Sequence, residues 1–211
     1  MKNLYTLFNF ATLFLVHRRE YFLLKFLKKH NFVNLKDKKI LEVGCGTCFE
    51  LRNFLRYGSI SKNLYGIDIN LSSIFNAKNI NGEINLICAN AKNLPFKEKS
   101  FDIIAQFTCF SSILFKKDRI ESAREIQRCI KSDGIIFWYD FYIKKPSSKN
   151  IVAIKKKEIK ELFEGCILKF NRITLAPPIV RITFISHIFS LFLENLKILN
   201  THYLVVIKAK K

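Results

Sequence analysis

The chain has 211 residues, 49% of them apolar and 25% charged, with only 7 Gly and 4 Pro. These values exclude collagen-like, mucin-like and wholly disordered classes, and the length suits one embellished domain with its own core. Lys and Arg number 36 against 17 Asp and Glu, a formal charge of +19. That field attracts nucleic acid, anionic lipid or phosphorylated substrates without choosing among them. Lysines dominate the cations and are spread along the chain, whereas phosphate readers concentrate the bidentate Arg fork. A lysine-coated, solvated surface is the plain alternative.

At the N-terminus, Lys2 and the apolar run Leu4 to Val16 have the outline of a signal peptide. The run lacks a small-residue cleavage site and is too short to cross a bilayer as a helix. Leu4, Leu7, Phe8, Ala11 and Leu15 follow helical spacing, and Phe22, Leu23, Phe26 and Leu27 repeat it against Lys25, Lys28 and Lys29. Two N-terminal helices, or one kinked helix, are predicted over residues 1–38, packing on or capping a main domain of residues 39–211. Six cysteines at 45, 48, 88, 109, 129 and 166 form no four-ligand zinc set, so no metal is expected and the thiols suit a reduced, cytoplasmic protein.

From residue 39, strand-length apolar runs alternate with segments of helical period. Lys39–Val43 leads to a helix over Phe49–Tyr57, and Leu64–Asp68 to one over Leu71–Asn79. Asn85–Cys88 is a short third strand. Phe101–Phe107 and Gly134–Tyr139 read as fully buried strands separated by a helix from about Lys117 to Ile130. This alternation predicts a doubly wound parallel sheet. A basic stretch, Lys144 to Lys160, runs into a short helix ending at Phe163. Ile167–Thr174 and His202–Ile207 then read as strands, separated by Pro177-Pro178 and an apolar helix around Phe184 to Leu199, a helical insert at about 175–200.

The informative constellation is Ile40-Leu41-Glu42-Val43-Gly44-Cys45-Gly46-Thr47-Cys48, a glycine turn between strand and helix. Gly44 and Gly46 lack the Cβ atoms that would keep the backbone from a nucleotide-like ligand, and the helix N-terminus offers free amides. Position 49 is Phe49, not the third glycine of the dinucleotide fingerprint, which disfavours a nicotinamide or flavin dinucleotide. Asp68 ends the second strand, where a carboxylate can accept both ribose hydroxyls. Cys45 to Cys48 also forms a C-x-x-C at a helix N-terminus, the arrangement of thioredoxin-like oxidoreductases. That pattern has no use for Glu42, Asp68 or the segment Asn90 to Phe96.

Over residues 39 to 141 the chain resembles the class I S-adenosylmethionine-dependent methyltransferases. Glu42 to Thr47 is similar to their first motif and Tyr65 to Ile69 to the second. Ala89 to Phe96 with Ser100-Phe101-Asp102 is similar to the third, and Glu125 to Gly134 to the stretch before the fifth strand. The resemblance implies a seven-stranded Rossmann-like sheet, mostly parallel with an antiparallel last strand and helices on both faces. It implies S-adenosyl-L-methionine as cofactor, with Glu42, Gly44, Cys45, Gly46 and Thr47 at the methionine side, Asp68 and Ile69 at the ribose, Asn90 and Ala91 at adenine, and Gln106 and Phe107 over the cofactor. Cys48 stands where a third glycine is usual, Asn90 where an aspartate is, and Ser132-Asp133-Gly134 where a Pro-Gly-Gly turn is common.

Methyl transfer from a sulfonium needs alignment and dryness more than catalytic groups. The candidate bases are Asp140, ending the fifth strand, and His202, opening the last; a loop-forming acid and a hydrogen-bonded histidine are their plain alternatives. His187 falls on the insert helix. Gln106 to Phe110 lacks the Asn/Asp-Pro-Pro-Tyr signature of enzymes that methylate base amino groups, which makes nucleic acid the less favoured partner. The apolar N-terminal helices and the insert suit a greasy lid over a small-molecule, glycan or lipid-linked acceptor. A resemblance of the tail to bacterial methyltransferases of surface-glycan synthesis points the same way. Aromatic and basic flanks suit a peripheral visit to an anionic membrane surface at the inner face. An RNA methyltransferase and a noncatalytic cofactor-binding or interaction protein remain the alternatives.

Overall fold

The computed structural model describes residues 6–143, 150–182 and 187–210. Asn9 opens α1 (Phe10–Lys29) by accepting the Ala11 and Thr12 amides at 2.9 and 3.4 Å on its Oδ1. Lys28 and Lys29 occupy the last turn, where the helix dipole favours cations. One continuous helix stands where two helices, or one kinked helix, were expected. Leu7 and Phe8 precede the cap and are exposed, and Leu4 lies outside the described residues.

The strand and helix alternation follows as β1 (Ile40–Val43), α2 (Phe49–Arg56), β2 (Leu64–Asp68), α3 (Leu71–Asn81), β3 (Asn85–Cys88), β4 (Phe101–Phe107), α4 (Lys116–Cys129), β5 (Ile130–Phe141), α5 (Lys156–Leu162), β6 (Cys166–Leu175), α6 (Pro177–Ile182), α7 (His187–Asn195) and β7 (Asn200–Ala209). The seven strands lie in the order β3-β2-β1-β4-β5-β7-β6, parallel from β3 through β5 and antiparallel at the last strands. Successive crossovers leave β1 in one direction and β4 in the other. The carboxyl ends of these two strands therefore diverge at a switch point, where open α/β sheets bind ligands. Every residue of β1 and β4 is buried. Helices covering both faces explain why these strands read as continuous apolar runs.

β5 starts at Ile130, earlier than its apolar run suggests. Phe101 pairs with Ile130 and Ile103 with Ile135, so five residues of β5 span two of β4. The irregularity falls on Lys131 to Gly134, at the expected turn. Among the described residues the C-terminal insert holds α6 and α7; residues 183–186 between them and the start of the basic stretch, 144–149, lie outside the described residues.

The chain divides into two compact units: residues up to Val33 with Asn171–Leu204, and Asn34–Phe170 with the chain from Val205 on. In the first, Ala11, Phe14, Leu175 and Val180 form a core to which Phe10, Leu15, Ile179, Leu191, Leu193 and Leu199 add. The fully buried Glu194 knits this unit together. It pairs with Arg18 and accepts the Thr174 amide at 3.1 Å, while its carbonyl accepts Asn200 Nδ2 at 3.0 Å. In the second, Trp138 sits 4.4 Å from the Phe110 ring and 5.8 Å from the Phe163 ring, anchoring β5 under the loop that follows β4.

Candidate cofactor site at the switch point

The turn after β1 is built by backbone demands. Gly44 and Gly46 have φ of 73° and 51°, and Cys48 has φ of 64°. All three lie in the left-handed region that favours glycine. The Gly44 and Cys45 amides both donate to Ile67 O, at 2.8 and 2.9 Å, which ties the turn to β2. Around Gly44 there is no room: a Cβ would stand 2.5 Å from Cys109 Sγ. Around Gly46 there is nothing within 4 Å of the same position. The open side of the turn is therefore at Gly46.

Asp68 faces that turn. Its Oδ2 accepts the Gly46 amide at 2.9 Å and its Oδ1 the Asn70 amide at 2.8 Å. Each carboxylate oxygen has two acceptor positions, so Asp68 can orient the turn and still accept ligand hydroxyls. Ile69, next in the chain, is a large exposed apolar residue, and Asn70 caps α3 through Ser73 N at 3.1 Å.

The segment after β3 is bound to the same strand end, since the Ala89 amide donates to Asp68 O at 3.0 Å. Asn90 is exposed and folds an Asx turn, its Oδ1 accepting the Lys92 amide at 3.0 Å, and Ala91 is half-buried. A clamp from α4 holds the rest of this segment. Arg128 donates to Phe96 O at 2.8 Å and Leu94 O at 3.0 Å, and Glu125 accepts the Leu94 amide at 2.8 Å. Their mutual ion pair, 2.7 Å, holds the Glu125 carboxyl below its usual range. This positioning pair was missed at the sequence level, although its spacing of three within a helical segment was a usable signal.

The two cysteines of the turn act on each other. A hydrogen bond with Cys48, then burial and the Glu42 and Asp68 carboxylates, hold the Cys45 thiol protonated. The same bond lowers Cys48, helped by Arg52. Both side chains are buried, as is Glu42, and Thr47 is exposed. All six cysteines are free thiols.

The residues expected over the cofactor end β4. Gln106 is buried; its Oε1 accepts the Cys109 and Phe110 amides at 2.9 and 3.4 Å, and its Nε2 donates to Tyr139 O at 3.4 Å. It shapes the loop after β4. Phe107 is buried with its ring 6.2 Å from Tyr139. Asp140 is 1% exposed, with Oδ2 accepting the Ser111 amide at 3.0 Å and Oδ1 the Phe141 amide at 2.8 Å. Burial lifts its carboxyl to about 6 against the pull of the Ser111, Phe141 and Gln106 bonds. Asp140 thus pins the β4 loop to β5. The middle of the basic stretch bonds to the same region: Val152 N donates to Ser111 O and Ile154 N to Phe141 O, both at 2.9 Å. His202, in the other unit, is also buried, with Nδ1 2.9 Å from Thr201 Oγ1; burial, then Arg19, lower it to about 3. It is neutral at physiological pH.

A glycine turn bonded to an acid at the end of β2, with the β3 segment bonded to the same point, is the frame of a nucleoside-type cofactor site. Residues 41–138 match the family described as the methyltransferase domain. This match, to just under half of the chain, supports a class I, S-adenosylmethionine-dependent methyltransferase domain. Its similarity to an uncharacterised protein of Methanocaldococcus jannaschii is 35% identity over 124 residues, 57% of this chain and 45% of that protein. A ribosomal RNA small subunit methyltransferase A of Mesomycoplasma hyopneumoniae is 41% identical over 88 residues, 40% of this chain and 33% of that one. The chain thus spans less than half the length of these curated relatives. A crystal structure of a putative sarcosine dimethylglycine methyltransferase from Galdieria sulphuraria shares the fold at TM-score 0.66 and 14% identity, covering 91% of this chain and 86% of that one.

Proposed function

We propose that this class I domain is an active S-adenosylmethionine-dependent methyltransferase acting on a small-molecule, glycan or lipid-linked acceptor. The observation that carries the cofactor half is the bond from Gly46 N to Asp68, which sets an open glycine turn against a carboxylate with acceptor capacity to spare. When bound, S-adenosylmethionine supplies an electrophilic methyl group on a sulfonium. Gly46 lets the backbone approach the methionine moiety, Asp68 accepts the ribose hydroxyls, Ile69 offers an apolar wall, and Asn90 and Ala91 face adenine. The Glu125–Arg128 clamp holds the adenine segment in place.

Asp140 and His202 are both buried and already hydrogen-bonded. Catalysis here rests on alignment and exclusion of water, which suffices for acceptors whose nucleophile is neutral or readily ionised. Leu114, Phe115 and Ile143, exposed large apolar residues just beyond β4 and β5, favour an acceptor with an apolar part. RNA is the second reading, supported by the +19 charge and the relative named as a ribosomal RNA methyltransferase.

The experiment is incubation of the protein with cell extract and cofactor labelled in its methyl group, followed by mass spectrometry of small-molecule, lipid, glycan and RNA fractions. Label in one of the first three supports the acceptor class, and label confined to RNA replaces it. Calorimetry should show binding of S-adenosylhomocysteine and none of NAD; the reverse would remove the cofactor assignment.

A further inference from the structure

α7 is apolar on both sides. Ser190 and Glu194 are buried and Leu191 and Leu193 pack toward the core of their unit, as an insert helix should. Yet Ile188, Phe189, Phe192 and Leu196 are exposed, and Ile198 follows them at 77% exposure. At 100° per residue the first four fall within about a quarter-turn of one another, so they form a single outward stripe. Singly exposed apolar residues are ordinary, whereas a contiguous stripe of four, two of them Phe, marks a docking surface.

The charges beside the stripe select the occupant. Lys197, in the turn after α7, reaches α1 with its Nζ 5.4 Å from the Phe22 ring centroid, and the next outward turns of α1 carry the exposed Tyr21, Leu24, Lys25, Lys28 and Lys29. The described residues of this unit, 6–33 and 171–204, hold eight Lys and Arg against two Glu. One of those two, Glu194, is fully buried against Arg18. The stripe therefore sits in a cationic field almost without exposed carboxylates. No described helix is long and apolar enough to cross a membrane, so the surface fits lying on a bilayer rather than spanning it.

The geometry points to the α7 stripe as a docking surface for an anionic lipid bilayer, with Phe189 and Phe192 inserted at the interface and Lys25, Lys28, Lys29 and Lys197 over the lipid phosphates. Apolar burial at the headgroup boundary and electrostatic attraction each contribute, which is how interfacial helices bind. This inference stands apart from the acceptor, because it concerns where the protein sits.

The test is flotation of the full chain with phosphatidylcholine vesicles, with and without about 30% phosphatidylglycerol, at low and high salt. Binding should require the anionic lipid and weaken with salt. Phe189→Ser with Phe192→Ser should lower the partition coefficient by about tenfold or more, from the lost apolar burial, with a cooperative melting transition retained. Lys25→Glu with Lys28→Glu should lower it while preserving fold. In Phe189→Trp, indole emission should shift to the blue when anionic vesicles are added. Equal partition of the Phe double variant, or an unshifted indole, overturns the proposal. So does a dimer in solution that the Phe double variant converts to monomer, which would make a second copy of the chain the occupant.

Discussion

A single methyl group added at two positions of one turn separates packing from binding. At Gly44, φ of +73° imposes about 1–2 kcal/mol on alanine. The new Cβ would also meet Cys109 Sγ at 2.5 Å and Cys109 Cβ at 2.7 Å. Such overpacking typically adds about 1–3 kcal/mol. The sum, about 2–5 kcal/mol, corresponds to a melting temperature lower by on the order of 10 °C for a chain of this length. At Gly46, φ is +51° and no atom lies within 4 Å of the Cβ position, so Gly46→Ala should cost about 1 kcal/mol and only a few degrees. Its methyl group enters the open side of the turn, so affinity for S-adenosylhomocysteine should fall about tenfold or more. Adding Cys109→Ala to Gly44→Ala should restore part of the loss, since Sγ is removed and Cβ remains. Thermal melts and calorimetry on the parent and the three variants decide the matter. If Gly46→Ala melts as low as Gly44→Ala and keeps full cofactor affinity, the assignment of crowded and open sides is wrong.

Asp68→Ala should weaken cofactor binding by roughly 2–4 kcal/mol by calorimetry, and it should also destabilise the turn, since the Gly46 and Asn70 amides lose their acceptor. Arg128→Ala should lower stability by about 1–2 kcal/mol, a figure discounted for the partial exposure of the pair, and hydrogen exchange should rise at residues 91–96. Cys48→Gly should leave cofactor affinity unchanged or better, because relief at φ of 64° offsets the lost thiol contact; a marked loss with intact fold would assign the thiol a binding role. Asp140 and His202 should give opposite pH slopes. Asp140 is raised to about 6, so the unfolded chain ionises first and this group's contribution falls by on the order of 3 kcal/mol as pH rises from about 4 to 6. His202 is lowered to about 3, so the stability it contributes above about 6.5 is lost as pH falls and the unfolded chain takes up the proton. Relative to the parent, denaturant unfolding of Asp140→Asn should therefore show a steeper loss on acidification, and His202→Gln a shallower one.

By itself the sequence determined the alternation of strands and helices, because β1 and β4 are buried on both faces and read as uninterrupted apolar runs. It also determined the glycine turn and the acid that faces it: left-handed backbone favours glycine, and a carboxylate ending the second strand lies one crossover from the first. These signals are local, within a few residues of chain. The tertiary structure alone decided that Cys109 fills the space at Gly44, that Gln106 bonds the Cys109 and Phe110 amides, that Ser111 and Phe141 occupy Asp140, and that Arg128 clamps Leu94 and Phe96. It likewise decided that α1 shares a core with residues 171–204 while α7 keeps an apolar side outward. Each of these depends on which distant backbone groups lie within hydrogen-bond or van der Waals reach, and periodicity says which face of an element is apolar but not what that face meets.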